Sequence, residues 1–162
     1  MRRKDREITD RQEIINILSR CDTVRIGIKN SAHPYIVPVS FGMEIAGDMP
    51  VVYFHCAKQG LKLELLQHDA AICLEADRFL GVQPTAGGIT TRYESIIGFG
   101  NCTFVQDKTE FIKGIRLILN HYGYSDYPLE RCNGLEHMLI GKIELNEIYG
   151  KRNPPQNQQF QI

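Results

Sequence analysis

The sequence predicts a mainly β fold of the α+β class: an antiparallel sheet closed into a small barrel, with helices flanking it. Three observations lead there. Apolar–polar alternation recurs in short segments joined by turn residues, so strands follow strands, which favours antiparallel pairing over a β-α-β repeat. Gly98 and Gly100 stand inside a long strand segment, where a closing sheet must bend sharply. Helical signals are confined to three segments, and neither a sequence repeat nor a second domain is visible.

Asp10 to Arg20 reads as a helix, with Asp10 and Glu13 spaced as a capping box and Ile14, Ile17 and Leu18 as its apolar stripe. Thr23 to Lys29 alternates as a strand, and Asn30 to Pro34 is a turn. Tyr35 to Phe41 is a second strand; Pro38 cannot donate to a ladder, so it marks an edge, a bulge or a barrel seam. Val51 to Cys56 is the third strand, Gly60 to Gln67 a short helix and Ala70 to Ala76 the fourth strand. Leu80 to Thr91, with Gly81, Pro84, Gly87 and Gly88, is expected to be a mobile loop. Tyr93 to Val105 is the long strand. Asp107 to Tyr122 is a helix capped by Asp107 and Glu110 and ended by Gly123. Met138 to Leu145 is the last strand, and residues 153–162, with two prolines and several glutamines, form a flexible tail.

The chain has 162 residues, 43% hydrophobic, enough for one domain with a real core. A formal net charge of zero gives no broad electrostatic reason to bind nucleic acid or an anionic membrane. No run is long enough to span a bilayer, and no basic start leads into an apolar stretch, so a cytoplasmic location is expected. The five cysteines are scattered, without a C-x-x-C pair, and the histidines lack ligand spacing, so neither a disulfide framework nor a metal site is expected.

The chemistry concentrates in Val51 to Leu66, where an apolar strand runs into a polar loop that opens a helix. Free amides at a helix start plus the Lys62 ammonium make a phosphate site, and Gly60 lets a ligand approach the backbone closely. His55 shares a strand face with Val51 and Tyr53, and an imidazole there is a residue type suited to proton donation to a bound group. Cys56 points the other way, beside Val52 and Phe54, as a small buried hydrophobe. The Gly98-Phe-Gly100 pair is not a dinucleotide fingerprint: it lacks the third glycine and lies within a strand. Thr85 to Thr91 lacks the ending of a P-loop.

These motifs together resemble the pyridoxamine-phosphate-oxidase-like flavin-binding split barrels, and within them the nitroimidazole-resistance branch. The likeness runs from about Arg6 to Lys151: Val37-Pro-Val-Ser-Phe-Gly42, Tyr53-Phe-His-Cys-Ala57 through Gly60 and Lys62, Tyr93-Glu-Ser-Ile-Ile-Gly-Phe-Gly100, and Gly150-Lys151. The resemblance implies a six-stranded antiparallel split barrel over residues 1–152, working as a homodimer with FMN at the interface. It implies that Pro38, Val39, Ser40 and Phe41 lie along the flavin ring, that His55, Cys56 and Ala57 sit near the ring and ribityl chain, and that Lys62 holds the phosphate. Ser95, with Glu94, would reach the flavin from the partner subunit, and His55 would carry the activity linked to that position. The expected activity is FMN-dependent reduction of a nitroaromatic or nitroimidazole, a small-molecule electron acceptor; the alternatives are a flavin carrier without turnover, or haem binding through His55. The oxidase itself has Ser-Arg-Lys where this chain has Gly60-Leu61-Lys62, so one cation is missing. Vitamin B6 oxidation is therefore not expected, and flavin retention should be weaker.

Overall fold

The computed structural model describes residues 2–153. In chain order the elements are β1 (Glu7–Ile8), α1 (Arg11–Leu18), β2 (Val24–Ile28), β3 (Tyr35–Val39), β4 (Phe41–Ala46), β5 (Met49–Ala57), α2 (Leu61–His68), β6 (Ala71–Thr85), β7 (Gly88–Phe104), α3 (Lys108–His121) and β8 (Met138–Asn153), with short 3₁₀ turns at Lys4–Arg6, Leu129–Arg131 and Leu135–His137. All strand pairing is antiparallel, in the order β3-β2-β6-β7-β8-β5-β4, with β1 added against β8.

The sheet has eight strands, not the six implied by resemblance. One extra is the two-residue β1. The other arises because the segment 35–46 breaks at Ser40: β3 pairs with β2 at one end of the sheet, and β4 pairs with β5 at the other. The sheet therefore does not close through hydrogen bonds; the chain itself crosses the gap at Ser40. Pro38 lies on β3, an edge strand two residues before this seam, where a missing N–H is tolerated.

Alternation splits the apolar side chains between two cores. The interior core gathers Val24, Ile26 and Ile28 of β2, Val39, Phe41, Val52, Phe54, Leu74, Ile96 and Ile143, closed by Ile14, Ile17 and Leu18 of α1. The second core lies outside the sheet, where Ile115 and Ile118 of α3 cover Val51, Tyr53 and Ile140. Helix α3 comes this close because two positions lack side chains. A Cβ on Gly42 would lie 2.2 Å from the Leu117 carbonyl carbon, and one on Gly114 would lie 2.8 Å from Ile140. The sharp bend expected in the long strand is present: the β7–β8 register shifts between Phe99 and Gly100, and a Cβ on Gly100 would meet the Glu144 carbonyl oxygen at 2.1 Å.

Three further expectations are corrected. Residues 80–91 are not a loop but the end of a two-stranded ribbon, in which β6 continues to Thr85 and β7 starts at Gly88. The glycines that suggested a loop serve the ribbon: Gly81 takes the bulge between Phe79 and Gly81 at φ +115°, and Gly88 opens the return strand at φ +133°. Pro84 sits where β6 has left β2 and only β7 remains beside it. Second, Asp10 caps α1 through Gln12 N–H, but Glu13 turns to Arg152 instead of closing a capping box. Third, β8 extends past Leu145 to Asn153, so Asn153 belongs to a strand and not to the expected tail; it is buried and donates to Thr90 Oγ1 and the Thr91 carbonyl. The remainder of the expected tail, 154–162, lies outside the described residues. Among the described residues no helix is long and apolar enough to cross a membrane.

Candidate functional site at the seam and the start of α2

Helix α2 starts without a side-chain cap. Its N-cap is Gly60 at φ +119° and ψ 164°, a conformation that side chains rarely adopt, and the Gly60 carbonyl accepts from Leu63 and Glu64 N–H. Nothing stands within 4 Å of the place a Gly60 Cβ would take, so the helix start is open. The Lys62 side chain is half-buried, and its ammonium lies 5.1 Å from the centroid of the Phe54 ring. Phe54 in turn lies flat on Gly141, where a Cβ would approach its ring to 2.3 Å, and is the register partner of Phe41. This chain of contacts brings the start of β4, the end of β5 and the start of α2 to one place.

Each residue expected at the site can be located. Pro38, Ser40, His55, Ala57 and Gly60 are exposed. Val39, Phe41 and Cys56 are buried in the interior core, so their side chains face away from any ligand lying on the seam. His55 is on the outer face, the register partner of Ile140, and makes no side-chain hydrogen bond among the described residues. Burial pushes the Cys56 thiol up, with Lys62 opposing, and pushes Cys102 up to about 12, so both stay protonated at neutral pH. Beside α2 a cleft of about 610 Å³ is lined by Lys58, Leu63, Leu66, Cys102, Phe104 and Leu139.

Glu94 and Ser95 sit elsewhere. Ser95, half-buried, is on the outer face of β7 between Asp77 and Lys151. Glu94 points the other way and is 5% exposed. It accepts from Arg20 at 3.4 Å, Arg78 at 3.2 Å and Arg152 at 2.7 Å, and Arg152 also pairs with Glu13. Its carboxylate is thus fully engaged within its own chain.

Sequence reasoning missed what holds the seam. Tyr122, at the end of α3, accepts from Phe41 N–H at 3.2 Å and donates to the Asp22 carbonyl at 2.7 Å. His121 packs against Phe41 with ring centroids 4.2 Å apart and the rings tilted by 45°, and its Nε2 lies 2.8 Å from the Cys21 carbonyl. The end of α3 therefore ties β4 to the turn before β2, across the gap that the ladder leaves open. Only the helix-ending Gly123 hinted that the chain must stop there.

Comparison with known proteins decides the family: the profile described as pyridoxamine 5'-phosphate oxidase matches residues 10–152. The chain belongs to the pyridoxamine 5'-phosphate oxidase family. Solved structures agree with this placement. A candidate 5-nitroimidazole antibiotic resistance protein from Bacteroides thetaiotaomicron is 26% identical, with a TM-score of 0.77 over 90% of this chain and 86% of that one. A flavocytochrome from Azotobacter vinelandii is 18% identical (TM-score 0.73; 94% of this chain, 72% of that one). A FAD- and haem-binding protein from Mycobacterium smegmatis is 16% identical (TM-score 0.76; 94% and 77%). The last two share the fold of this family member. No curated protein shows a significant match. Among the described residues no cluster of three or more His, Cys, Asp or Glu is placed to hold a metal.

Proposed function

We propose that the chain is an FMN-dependent reductase of nitroaromatic compounds. The observation that carries this reading is the uncapped, open start of α2 with the Lys62 ammonium beside it, next to the seam. These residues fit a phosphate: the Leu61 and Lys62 amides have no acceptor within the helix, Gly60 leaves room for close approach, and Lys62 adds a charge-assisted donor. Family membership and the Bacteroides relative support a flavin and a nitro-compound acceptor. A flavin held there would supply electron transfer from a nicotinamide to a nitro group.

This chain's residues would then bind and orient. Lys62 and the α2 amides would anchor the phosphate, and the Pro38–Phe41 stretch would lie along the ring. His55, exposed and unpartnered, would deliver a proton to the reduced acceptor. A second copy of the chain would complete the site through Ser95. Supporting this is an apolar outer surface of Ile97, Phe99 and Tyr149, each about 45% exposed, flanked by Phe79 and Ile89 on the ribbon. Mixing Lys62→Ala and Ser95→Ala chains should restore part of the flavin sites if they are shared.

The deciding experiment is anaerobic: reduce the FMN-loaded protein with a nicotinamide, then add a nitroimidazole. Bleaching followed by rapid return of flavin colour supports the reductase. Bleaching without acceleration by the nitroimidazole would leave a flavin carrier and overturn the activity. A Soret band in the purified protein would favour the haem reading, in which His55 is the axial ligand.

A further inference from the structure

A second cationic cradle lies toward the N-terminal end of β7, whereas α2 flanks its C-terminal end at Cys102 to Phe104. Arg6 Nη1 stands 3.5 Å from the Tyr93 hydroxyl, and the Lys151 ammonium lies 5.6 Å from the Tyr93 ring centroid. Arg6 Nε is the one buried side-chain polar atom without a hydrogen-bond partner among the described residues. Buried donors are almost always satisfied, and an orphan in a guanidinium calls for an acceptor. Arg6 also borders a cleft of about 100 Å³ on its other side, lined by Asp5, Glu7, Asp10 and Arg152 and not by Tyr93 or Lys151.

The nearby acids are already engaged. Of the carboxylates lining that cleft, Asp5 pairs with Arg3, Glu7 with Lys4 at 3.3 Å, and Asp10 caps α1. With Arg3 and Lys4 taken up by Asp5 and Glu7, the two cations that face Tyr93 are Arg6 and Lys151. We propose that Arg6, Tyr93 and Lys151 form a binding site for a phosphate group, on the face of β7 that also carries Ser95. Burial alone would push the Tyr93 phenol up, yet hydrogen bonding to Lys151 and Arg6 outweighs it and the net direction is down. A phenol placed between two cations donates well to an anion. The site stands on these residues and does not need the flavin reading. The phosphate can belong to free phosphate or to a nicotinamide dinucleotide donor.

The test is titration of the full chain with inorganic phosphate, followed by calorimetry and by the ultraviolet signal of tyrosine ionisation. Saturable binding that raises the Tyr93 pKa is expected, because the anion neutralises the cations that hold it down. Arg6→Gln and Lys151→Gln should each weaken binding about tenfold or more, while Arg92→Gln, an exposed neighbour, should leave it unchanged. Should Arg6→Gln not fold, Lys151→Gln and Tyr93→Phe carry the test. Phosphate bound equally by wild type and the Arg6 and Lys151 variants, or not saturably at all, overturns the site. Competition by NADPH assigns the phosphate to a nicotinamide donor, and phosphate binding without such competition assigns it to the free ion; both sustain the site. Flavin occupancy, read separately in Lys62→Met, distinguishes failure here from failure of the reductase reading.

Discussion

Lys62→Met is the perturbation that bears most directly on the phosphate anchor. Methionine keeps the length and apolar stem of lysine, and its sulfur still packs on the Phe54 ring, so the fold is disturbed little. A hydrogen bond from an ammonium to a phosphate contributes about 1.5–3 kcal/mol. Lys62 already interacts with the Phe54 ring, and giving up that partly exposed cation–π contact on binding forfeits about 0.5–1 kcal/mol. The net is about 0.5–2.5 kcal/mol, which at 1.4 kcal/mol per tenfold is a loss of roughly 2- to 60-fold in FMN affinity. Flavin fluorescence titration measures it, with riboflavin as the internal control. Riboflavin lacks the phosphate, so its affinity should not distinguish wild type from variant. Equal losses for both flavins, or FMN affinity unchanged within error, would refute the anchor. Raising ionic strength should weaken FMN binding in the wild type and less so in the variant.

Other perturbations test the frame around the site. Glu94→Gln removes the carboxylate that three arginines share; breaking a buried ion pair costs about 3–5 kcal/mol, and because Arg20 is half-exposed and can rehydrate we expect about 2–3 kcal/mol and a fall in Tm of roughly 4–12 °C. Gly42→Ala drives a methyl into the Leu117–Ile118 backbone of α3, so a loss at the upper end of the 1–3 kcal/mol typical of overpacking is expected in denaturant titration. Acid should weaken the junction of α3 with the sheet. Glu110 is held below its ordinary value by hydrogen bonding to Lys142; for Glu44 burial raises the pKa, but Lys113 and Tyr53 outweigh it. Such lowered carboxylates contribute stability above their unfolded value near 4.5, and lose it as pH falls through the folded value. Lys113→Met should flatten the fall in Tm below about pH 4.5, as read by thermal melts across pH.

Local periodicity made much of this fold legible. Alternation places Val24, Ile26 and Ile28 on one face of β2, and the structure puts all three in the interior core. The stripe Ile115 and Ile118 likewise packs where helical spacing directs it. The ribbon was not legible, because Gly81, Pro84 and Gly88 are turn residues to any local reading and only pairing reveals that they sit in a bulge, at an edge and in a return strand. The resemblance assigns Glu94 to the partner's flavin, whereas its arginine partners lie 74, 16 and 58 positions away in its own chain, which no local pattern encodes. Tyr122 escaped for the same reason, as its two partners are 81 and 100 positions distant. At the candidate site, spacing identified Gly60 and Lys62, but it could not show that Lys62 rests on Phe54 or that Phe41 is sealed in the core.

The seam narrows how a flavin ring could be recognised. With β3 bonded only to β2 and β4 only to β5, each has an outer edge that the ladder leaves unpaired. Such an edge offers backbone groups to a planar heterocycle that carries its own donors and acceptors. Of the four residues expected along the ring, Pro38 has no amide hydrogen, and that of Phe41 is taken by Tyr122. Recognition through the seam backbone would therefore fall on Val39 and Ser40. It would also depend on Tyr122: with that hydroxyl removed, Phe41 N–H is freed and the link from β4 to Asp22 is lost. Tyr122→Phe should then loosen riboflavin and FMN by the same factor, whereas Lys62→Met affects FMN alone. A Tyr122→Phe chain that melts earlier yet binds both flavins as tightly as wild type would show that the ring does not lie on the seam.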